Sequence, residues 1–169
     1  MRKQTLSMAF VAIFTLCAFT VQAQEKKIFA GGGVAYATDL NNIGFLAKGL
    51  YQFTPQWEAE GSFTYFLKKN YVNWSALDFN AHYLFYKKEK IAAYGLAGLD
   101  ILFWKIKFDT DEYGVWGDAL NTSSSNIGLN LGTGMRYQLS DKIYLNPELK
   151  YTVGNASYLS ISVGLLYNF

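Results

Sequence analysis

Apolar and polar residues alternate along most of this chain, which is the period of a β-strand with one apolar and one polar face. The segment 158–169 shows the alternation most clearly. Its odd-numbered positions are all large and apolar, whereas its even-numbered positions are mostly small or polar. After residue 23, no stretch sustains the period of an amphipathic helix. The pattern therefore predicts an all-β fold.

The alternation predicts eight consecutive strands, which cover residues 28–38, 43–53, 57–68, 75–86, 91–108, 126–139, 143–153 and 158–169. Short turns follow the second, fourth and sixth strands, and more variable loops, the longest at 109–125, follow the others. An up-and-down sheet places every second connection at the same end. We therefore predict an eight-stranded antiparallel up-and-down barrel with a short-turn end and a loop end, in which the last strand pairs with the first.

The direction of the apolar face separates two classes of barrel. This face lines the interior of a soluble ligand-binding barrel, but it contacts lipid in a transmembrane barrel. Strands of about ten residues suit a tilted crossing of a bilayer. The aromatic residues of the apolar face form two rows with aliphatic residues between them, as two membrane interfaces favour. The row at the short-turn end comprises Tyr51, Phe53, Trp57, Tyr83, Phe85, Tyr137, Tyr167 and Phe169. The sequence favours the transmembrane class.

Charged residues of the polar register support the same choice. They are Lys48, Glu58, Glu60, Asp78, His82, Asp100, Arg136, Glu148 and Lys150. A basic residue on the lipid face near the midplane would cost about 2–4 kcal/mol. The interior of an eight-stranded barrel has room only for side chains. We therefore expect these residues inside, paired as a luminal charge network, with Gly128, Gly132 and Gly134 leaving space for larger neighbours.

Residues 1–23 differ in composition from the rest of the chain. A short basic start precedes an apolar run to Val21, and Ala23 places a small residue at the cleavage position, which is typical of a secretory signal peptide. The expected mature domain is 24–169. Removing the leader also removes the only cysteine, Cys17, and leaves basic and acidic residues equal in number. This neutral balance argues against a nucleic-acid partner.

Few residues offer catalytic chemistry. His82, the only histidine, shares the polar register with Asp78 and Asn80 and has no serine near it in sequence. Glu58 and Glu60 lie two residues apart and therefore share a face, as paired carboxylates for acid–base catalysis would. Ion pairing with interior bases explains the same positions. We predict no catalytic, cofactor or metal site.

The loop 109–125 carries the remaining candidate chemistry. Residues 109–114 resemble the start of a calcium-binding loop, but Tyr113 replaces an oxygen ligand and Leu120 stands where the final acidic ligand belongs. A solvated acidic loop is the favoured interpretation. Tyr113, Val115 and Trp116 are apolar residues of the same loop that could contact a surface partner or the outer leaflet, or pack on the barrel.

Several features together resemble the small outer-membrane β-barrel superfamily. They are the leader, the eight alternating strands, the turn at 139–142, the segment 146–151 and the terminal residues 167–169. This superfamily includes the OmpX and OmpA transmembrane barrels and the outer membrane protein β-barrel domain proteins of Gram-negative bacteria. The resemblance implies export, insertion by the barrel assembly machinery, short turns in the periplasm and longer loops outside. It also implies that Tyr167 and Phe169 form the assembly signal that this machinery recognises.

The sequence thus predicts a monomeric protein of the cell outer membrane with a structural or surface-interaction role and a charge-filled lumen. Its expected partners are outer-membrane lipid, the assembly machinery during insertion and a surface partner at loop 109–125. A passive small-solute channel is the first alternative. A lipid-modifying outer-membrane enzyme that uses His82 is the second, and a soluble ligand-binding barrel is the third.

Overall fold

The computed structural model describes residues 27–68, 72–106 and 122–169 of the chain. The predicted leader and most of the loop 109–125 lie outside these residues. All regular secondary structure in the described ranges is β-strand. No described segment is a helix long and apolar enough to cross a membrane.

Eight antiparallel strands form a closed barrel in the order β1 to β8. They are β1 Lys27–Ala37, β2 Asn42–Gln52, β3 Trp57–Phe66, β4 Val72–Lys88, β5 Ile91–Ile106, β6 Thr122–Gln138, β7 Ile143–Gly154 and β8 Tyr158–Asn168. Each strand pairs with its neighbours in sequence, and β8 pairs with β1 through registers such as Val34 with Val163. The predicted fold class, strand order and closure are confirmed.

Three neighbouring strands extend beyond the rest at the loop end. β4 and β6 have 17 residues and β5 has 16, whereas the other strands have 10 to 12. Pairing between β3 and β4 stops at Tyr65 and Ser75, and pairing between β6 and β7 stops at Gly128 and Gly154. Beyond these pairs, β4, β5 and β6 continue to pair only with one another. We call residues 72–74, 103–106 and 122–127 the loop-end extension.

The alternation places polar side chains inside and apolar side chains outside. On β6, Leu129 and Leu131 are 62% and 68% exposed, whereas Asn130 between them is 3% exposed. The exposed large apolar residues continue around all eight strands. This distribution is the reverse of that of a water-soluble barrel, whose apolar face would be buried. All eight predicted interface aromatics are on the outer face.

One position departs from simple alternation. Strict alternation along β4 would place Tyr86 on the inner face with Leu84, but Tyr86 is 48% exposed. The β4–β5 register shifts between Leu84 and Tyr86, so that Phe85 is an extra residue in a β-bulge. A bulge inserts one residue and reverses the faces beyond it. Tyr86 therefore lies on the outer face, as its neighbour Phe85 does.

Candidate functional site

The barrel interior gathers the polar side chains that the sequence singles out. All nine residues of the predicted network are buried, at 7% exposure or less: Lys48, Glu58, Glu60, Asp78, His82, Asp100, Arg136, Glu148 and Lys150. They come from β2, β3, β4, β5, β6 and β7. Alternation alone places them inside, because each occupies the inward register of its strand. The interior therefore contains three permanent cations and five carboxylates around one histidine.

Lys48 connects two carboxylates from different strands. Its Nζ atom lies 2.9 Å from Glu60 Oε2 and 2.9 Å from Glu148 Oε2. Glu60 also accepts hydrogen bonds from Asn80 Nδ2 at 3.0 Å and from Ser62 Oγ at 3.2 Å. Burial of an ion pair is favourable only when other hydrogen bonds satisfy the charged groups. The neighbours of Glu60 meet this condition.

Tyr94 extends the same cluster and was not among the residues that the sequence singled out. Its hydroxyl donates to Glu148 Oε2 at 2.8 Å and accepts from Asn146 Nδ2 at 2.8 Å. Its ring stacks on the imidazole of His82, with centroids 4.3 Å apart and planes at 7°. Tyr94 pairs across the strands with Gly134, where any Cβ atom would collide with the Tyr94 ring. The absent side chain of Gly134 therefore creates the space that Tyr94 fills.

Arg136 and Glu58 form the pair nearest the short-turn end. Arg136 Nη2 lies 2.5 Å from Glu58 Oε1, and the guanidinium lies over the Phe29 ring at 4.6 Å from its centroid. The second oxygen of Glu58 faces His82 Nδ1 at 3.8 Å, and His82 Nε2 lies 3.5 Å from Glu60 Oε2. His82 thus lies between two carboxylates, one on either side of its ring.

A second polar cluster lies nearer the loop end. Lys150 Nζ lies 2.6 Å from Asp78 Oδ1, and Asn130 Nδ2 donates to the same oxygen at 2.8 Å. Thr152 donates to Asn130 Oδ1 at 2.8 Å. Together these contacts connect strands β4, β6 and β7 across the interior.

Asp100 lies beside this second cluster and has a hydroxyl partner. Tyr158 donates to Asp100 Oδ2 at 3.0 Å. Asp100 is the cross-strand partner of Asp78, so two carboxylates of adjacent strands share this part of the interior. The Tyr158 contact joins β8 to β5 across the barrel.

Apolar clusters lie at both ends of the polar interior. At the loop end, the cluster contains Ala37, Phe66, Ala76, Leu102 and Tyr158, with Trp74 packed against it. At the short-turn end, Phe29, Leu50 and Leu166 pack with Tyr144. Apolar side chains offer no hydrogen bonds to ions or water. Within the described part of the barrel, apolar side chains thus pack at both ends of the polar interior.

Three interior residues have the composition of a metal site. One ligand atom from each of Glu60, His82 and Glu148 lies within 4.8 Å of the others. The ammonium of Lys48 contacts both carboxylates of this set at 2.9 Å. A divalent cation bound there would have to displace Lys48, because two cations would repel each other at this distance. The lysine is thus the cation that these carboxylates hold.

The geometry at His82 does not provide a nucleophile and its base. His82 has no exposed surface, and neither ring nitrogen has a hydrogen-bond partner among the described residues. The hydroxyl oxygen of Ser62, a buried serine beside this network, lies 3.2 Å from Glu60 Oε1 and 3.3 Å from Asp78 Oδ2, so its single proton is shared between two carboxylates. Nucleophilic catalysis needs a hydroxyl within hydrogen-bond reach of the base and access for the substrate.

The remaining sequence candidates lie outside the interior or outside the described residues. Tyr167 and Phe169 are exposed at the short-turn end, and their rings pack edge to face with centroids 5.1 Å apart. Their role as the assembly signal stays a prediction. The calcium-like segment at 109–114, together with Tyr113 and Trp116, lies in the part of the chain that the structure does not describe.

The geometry defines a transmembrane β-barrel, because an apolar outer surface encloses a buried polar interior. The family model described as "Outer membrane protein beta-barrel domain" matches residues 7–169, and the chain belongs to this family. The protein is therefore an outer-membrane β-barrel, as its sequence predicted. No curated protein matches the chain in sequence.

Solved structures of outer-membrane barrels have the same fold. The Yersinia pestis attachment invasion locus protein Ail, in complex with the heparin analogue sucrose octasulfate, is 20% identical; 86% of this chain and 100% of Ail are covered, with a TM-score of 0.64. The N-terminal β-barrel domain of Pseudomonas aeruginosa OprF is 17% identical, with 88% and 100% covered and a TM-score of 0.66. Neisserial surface protein A is 16% identical, with 86% and 98% covered and a TM-score of 0.63. At these identities the likeness shows the fold.

Proposed function

We propose that this protein is a non-conducting outer-membrane barrel with a structural or surface-interaction role. The observation that carries the proposal is the filling of the interior by paired charges between two apolar clusters. A passive channel needs a continuous water-filled path. In the described residues, Lys48 bridges two carboxylates inside the barrel, and Arg136 and Lys150 each contact one. This arrangement favours a closed barrel over a small-solute channel.

A planar lipid bilayer recording of the refolded protein tests this part of the proposal. We expect no steady conductance from the unmodified protein, because solutes would have to displace buried ion pairs. The variant Arg136→Ser combined with Glu58→Ser removes the pair nearest the short-turn end without leaving an unpaired charge, and it reports whether a loosened interior conducts. Lys105→Ser, at an exposed position, is the control. Steady conductance by the unmodified protein would establish the channel alternative instead.

The surface-interaction role is supported by the loop-end extension. Three strands continue beyond their neighbours there, and a groove of about 410 Å³ is lined by Asn73, Phe103, Trp104, Lys105 and Ser123–Ser125. Phe103 is 41% exposed. Aromatic side chains such as Phe103 and Trp104 are enriched at interfaces between proteins. In the proposed orientation, with short turns in the periplasm, this groove faces the cell exterior.

Adhesion of cells that express the protein tests the surface role. We expect Phe103→Ser combined with Lys105→Ser to reduce attachment to host-cell or matrix surfaces, because both changes remove groove contacts. Lys142→Ser, at the opposite end of the barrel, should leave attachment unchanged. Both variants should keep the heat-dependent gel mobility of a folded barrel. Equal attachment by all three proteins would contradict a surface role for this groove.

The same proposal assigns no catalytic activity to the interior. Its support is the position of His82, which is fully buried among carboxylates and a stacked tyrosine ring. Outer-membrane lipid isolated from cells with and without the protein should have the same acyl composition. A difference that disappears in His82→Ala would show that the barrel is a lipid-modifying enzyme.

A further inference from the structure

The short-turn end contains a cavity that the proposed function does not use. It has a volume of about 120 Å³, and its lining includes Lys27, Lys87, Lys90 and Arg136. Glu89 is the one acidic residue of the lining, and Phe29 contributes apolar surface. Four basic side chains thus converge on a cavity that is large enough for one tetrahedral anion with some water.

The three lysines of this cavity lack ion-pair partners among the described residues. The charges of Lys27 and Arg136 repel the ammonium of Lys87, and that of Glu58 attracts it. Because the four bases around the cavity outnumber Glu58 and Glu89, the local potential is positive, and an anion between the bases would relieve their repulsion.

Arg136 provides an additional donor from the buried side of the cavity. Arg136 is 4% exposed, and its Nη2 atom is paired with Glu58. Nη1 is buried and has no hydrogen-bond partner among the described residues. The guanidinium also lies over the Phe29 ring, 4.6 Å from its centroid. A buried and unsatisfied N–H donor is costly unless a ligand or water accepts its hydrogen bond.

We propose that this cavity binds a phosphate group. Guanidinium and ammonium groups are the usual partners of phosphate, since they combine charge with several N–H donors. Nη1 of Arg136 contacts the innermost oxygen, and the ammonium groups of Lys27 and Lys87 contact the outer oxygens. The side-chain amides of Gln52 and Gln138, which also line the cavity, complete the donor set. The phosphate belongs to a phospholipid headgroup of the adjoining leaflet or to a free phosphate ion.

Two sources of phosphate can be compared directly by NMR. In the first arm, inorganic phosphate is titrated into the full mature protein in uncharged maltoside micelles, with chloride at equal ionic strength as the reference. In the second arm, the protein is transferred to maltoside micelles that contain increasing amounts of phosphatidic acid. We expect saturable shifts of the backbone amides at residues 27, 87, 90, 136 and 138 in at least one arm. The arm that saturates identifies the source.

Matched lysine variants test whether the cavity is the site. Lys87→Gln should weaken binding about tenfold, because the loss of one charge-assisted hydrogen bond to phosphate costs about that factor. Lys27→Gln should act in the same direction. Lys142→Gln removes a cation at the same end that lies over Tyr167 and does not line the cavity, so it should bind as the unmodified protein does.

Two outcomes would overturn the proposal. Shifts that fail to saturate with both phosphate sources, or that chloride reproduces, would show that the cavity does not bind phosphate. Equal weakening by Lys87→Gln and Lys142→Gln would show diffuse attraction at the short-turn end. Neither outcome bears on conductance, so a failure here leaves the proposed closed barrel standing.

Discussion

At the scale of single residues, Lys48 is a buried cation that two carboxylates share. Its ammonium holds two buried carboxylates, those of Glu60 and Glu148, at 2.9 Å each. Removing one partner of a buried ionic cluster leaves uncompensated charge, which costs about 3–5 kcal/mol. We predict that Lys48→Met lowers the free energy of unfolding by about this amount. Urea unfolding in lipid vesicles, followed by tryptophan fluorescence, measures the change.

Two further variants separate charge from packing. Adding Glu60→Gln and Glu148→Gln to Lys48→Met removes the unpaired charges, and most of the lost stability should return. Lys105→Met, at an exposed position of β5, should have little effect. If Lys48→Met unfolds at the same urea concentration as Lys105→Met, the Lys48 cluster does not stabilise the barrel.

Gly134 is predicted to be intolerant of a side chain. A Cβ atom there would collide with the Tyr94 ring, which also stacks on His82. Overpacking of this kind costs about 1–3 kcal/mol, and Gly134→Ala should lower the unfolding free energy accordingly. Tyr94→Leu should relieve the collision in the double variant, although it also removes a hydrogen bond to Glu148.

The matched control for this prediction is Gly95→Ala. Gly95 follows Tyr94 in β5, and an added Cβ would have only an ordinary contact, at 4.0 Å, with Gly132 O. The two variants therefore compare the effect of an added methyl group inside the barrel with its effect on the outer face. Equal stability of the Gly134→Ala and Gly95→Ala proteins would argue against the position of the Tyr94 ring.

Interior residues could be predicted from the sequence, but their partners could not. Alternation assigns an inward direction to each residue from its neighbours on the same strand. The pairing of Lys48 with Glu148, or of Arg136 with Glu58, joins strands that are distant in sequence and depends on the stagger of the closed barrel. Tyr94 was missed although it shares the inward register of Asp100, because the apolar residues on both faces of β5 obscured its role.

At the scale of the strand, β8 closes the barrel and ends beside β1. The backbone N–H of Phe169 donates to Ile28 O at 3.1 Å, and its side chain is 74% exposed. Deleting Phe169 should impair assembly more than deleting one residue of the loop 109–125, since the deletion removes both the last β1 contact and the proposed recognition signal. The fraction of heat-modifiable protein in the outer membrane measures assembly. Equal fractions for the two deletions would contradict the role of Phe169 as an assembly signal.

Strand ends and irregularities were harder to predict than the strands themselves. β4 and β6 begin at Val72 and Thr122, earlier than the predicted starts at residues 75 and 126. The run at 122–125 is wholly Thr and Ser and shows no alternation, so only pairing with β5 reveals it as strand. The alternation likewise gives no sign of the bulge at Phe85, because large apolar residues precede and follow it.

At the scale of the whole molecule, the barrel reverses the usual placement of polar and apolar groups. Its exterior carries apolar side chains from every strand, and its interior carries ionic clusters. The apolar exterior is compatible with contact with hydrocarbon. Ion pairs and hydrogen bonds among the interior charges offset the cost of burying them. A closed sheet also leaves no unpaired edge in lipid. The apolar exterior and the buried polar interior thus follow from one alternating pattern.

Site-specific spin labelling along β8 tests this central claim most directly. The expected mature segment, 24–169, contains no cysteine, so single cysteines can be introduced and labelled without background. Outward positions Ile161, Val163 and Leu165 and inward positions Ser160 and Ser162 alternate on this strand. In lipid vesicles, collisions with oxygen report exposure to the bilayer, and collisions with a nickel chelate report exposure to water.

The account predicts that labels at Ile161, Val163 and Leu165 collide strongly with oxygen and weakly with the nickel chelate. Labels at Ser160 and Ser162 should collide weakly with both, because the interior of the proposed closed barrel excludes solutes. Strong collisions with the nickel chelate at the three outward positions would contradict a lipid-facing exterior. Strong collisions with the chelate at the two inward positions would contradict a filled interior.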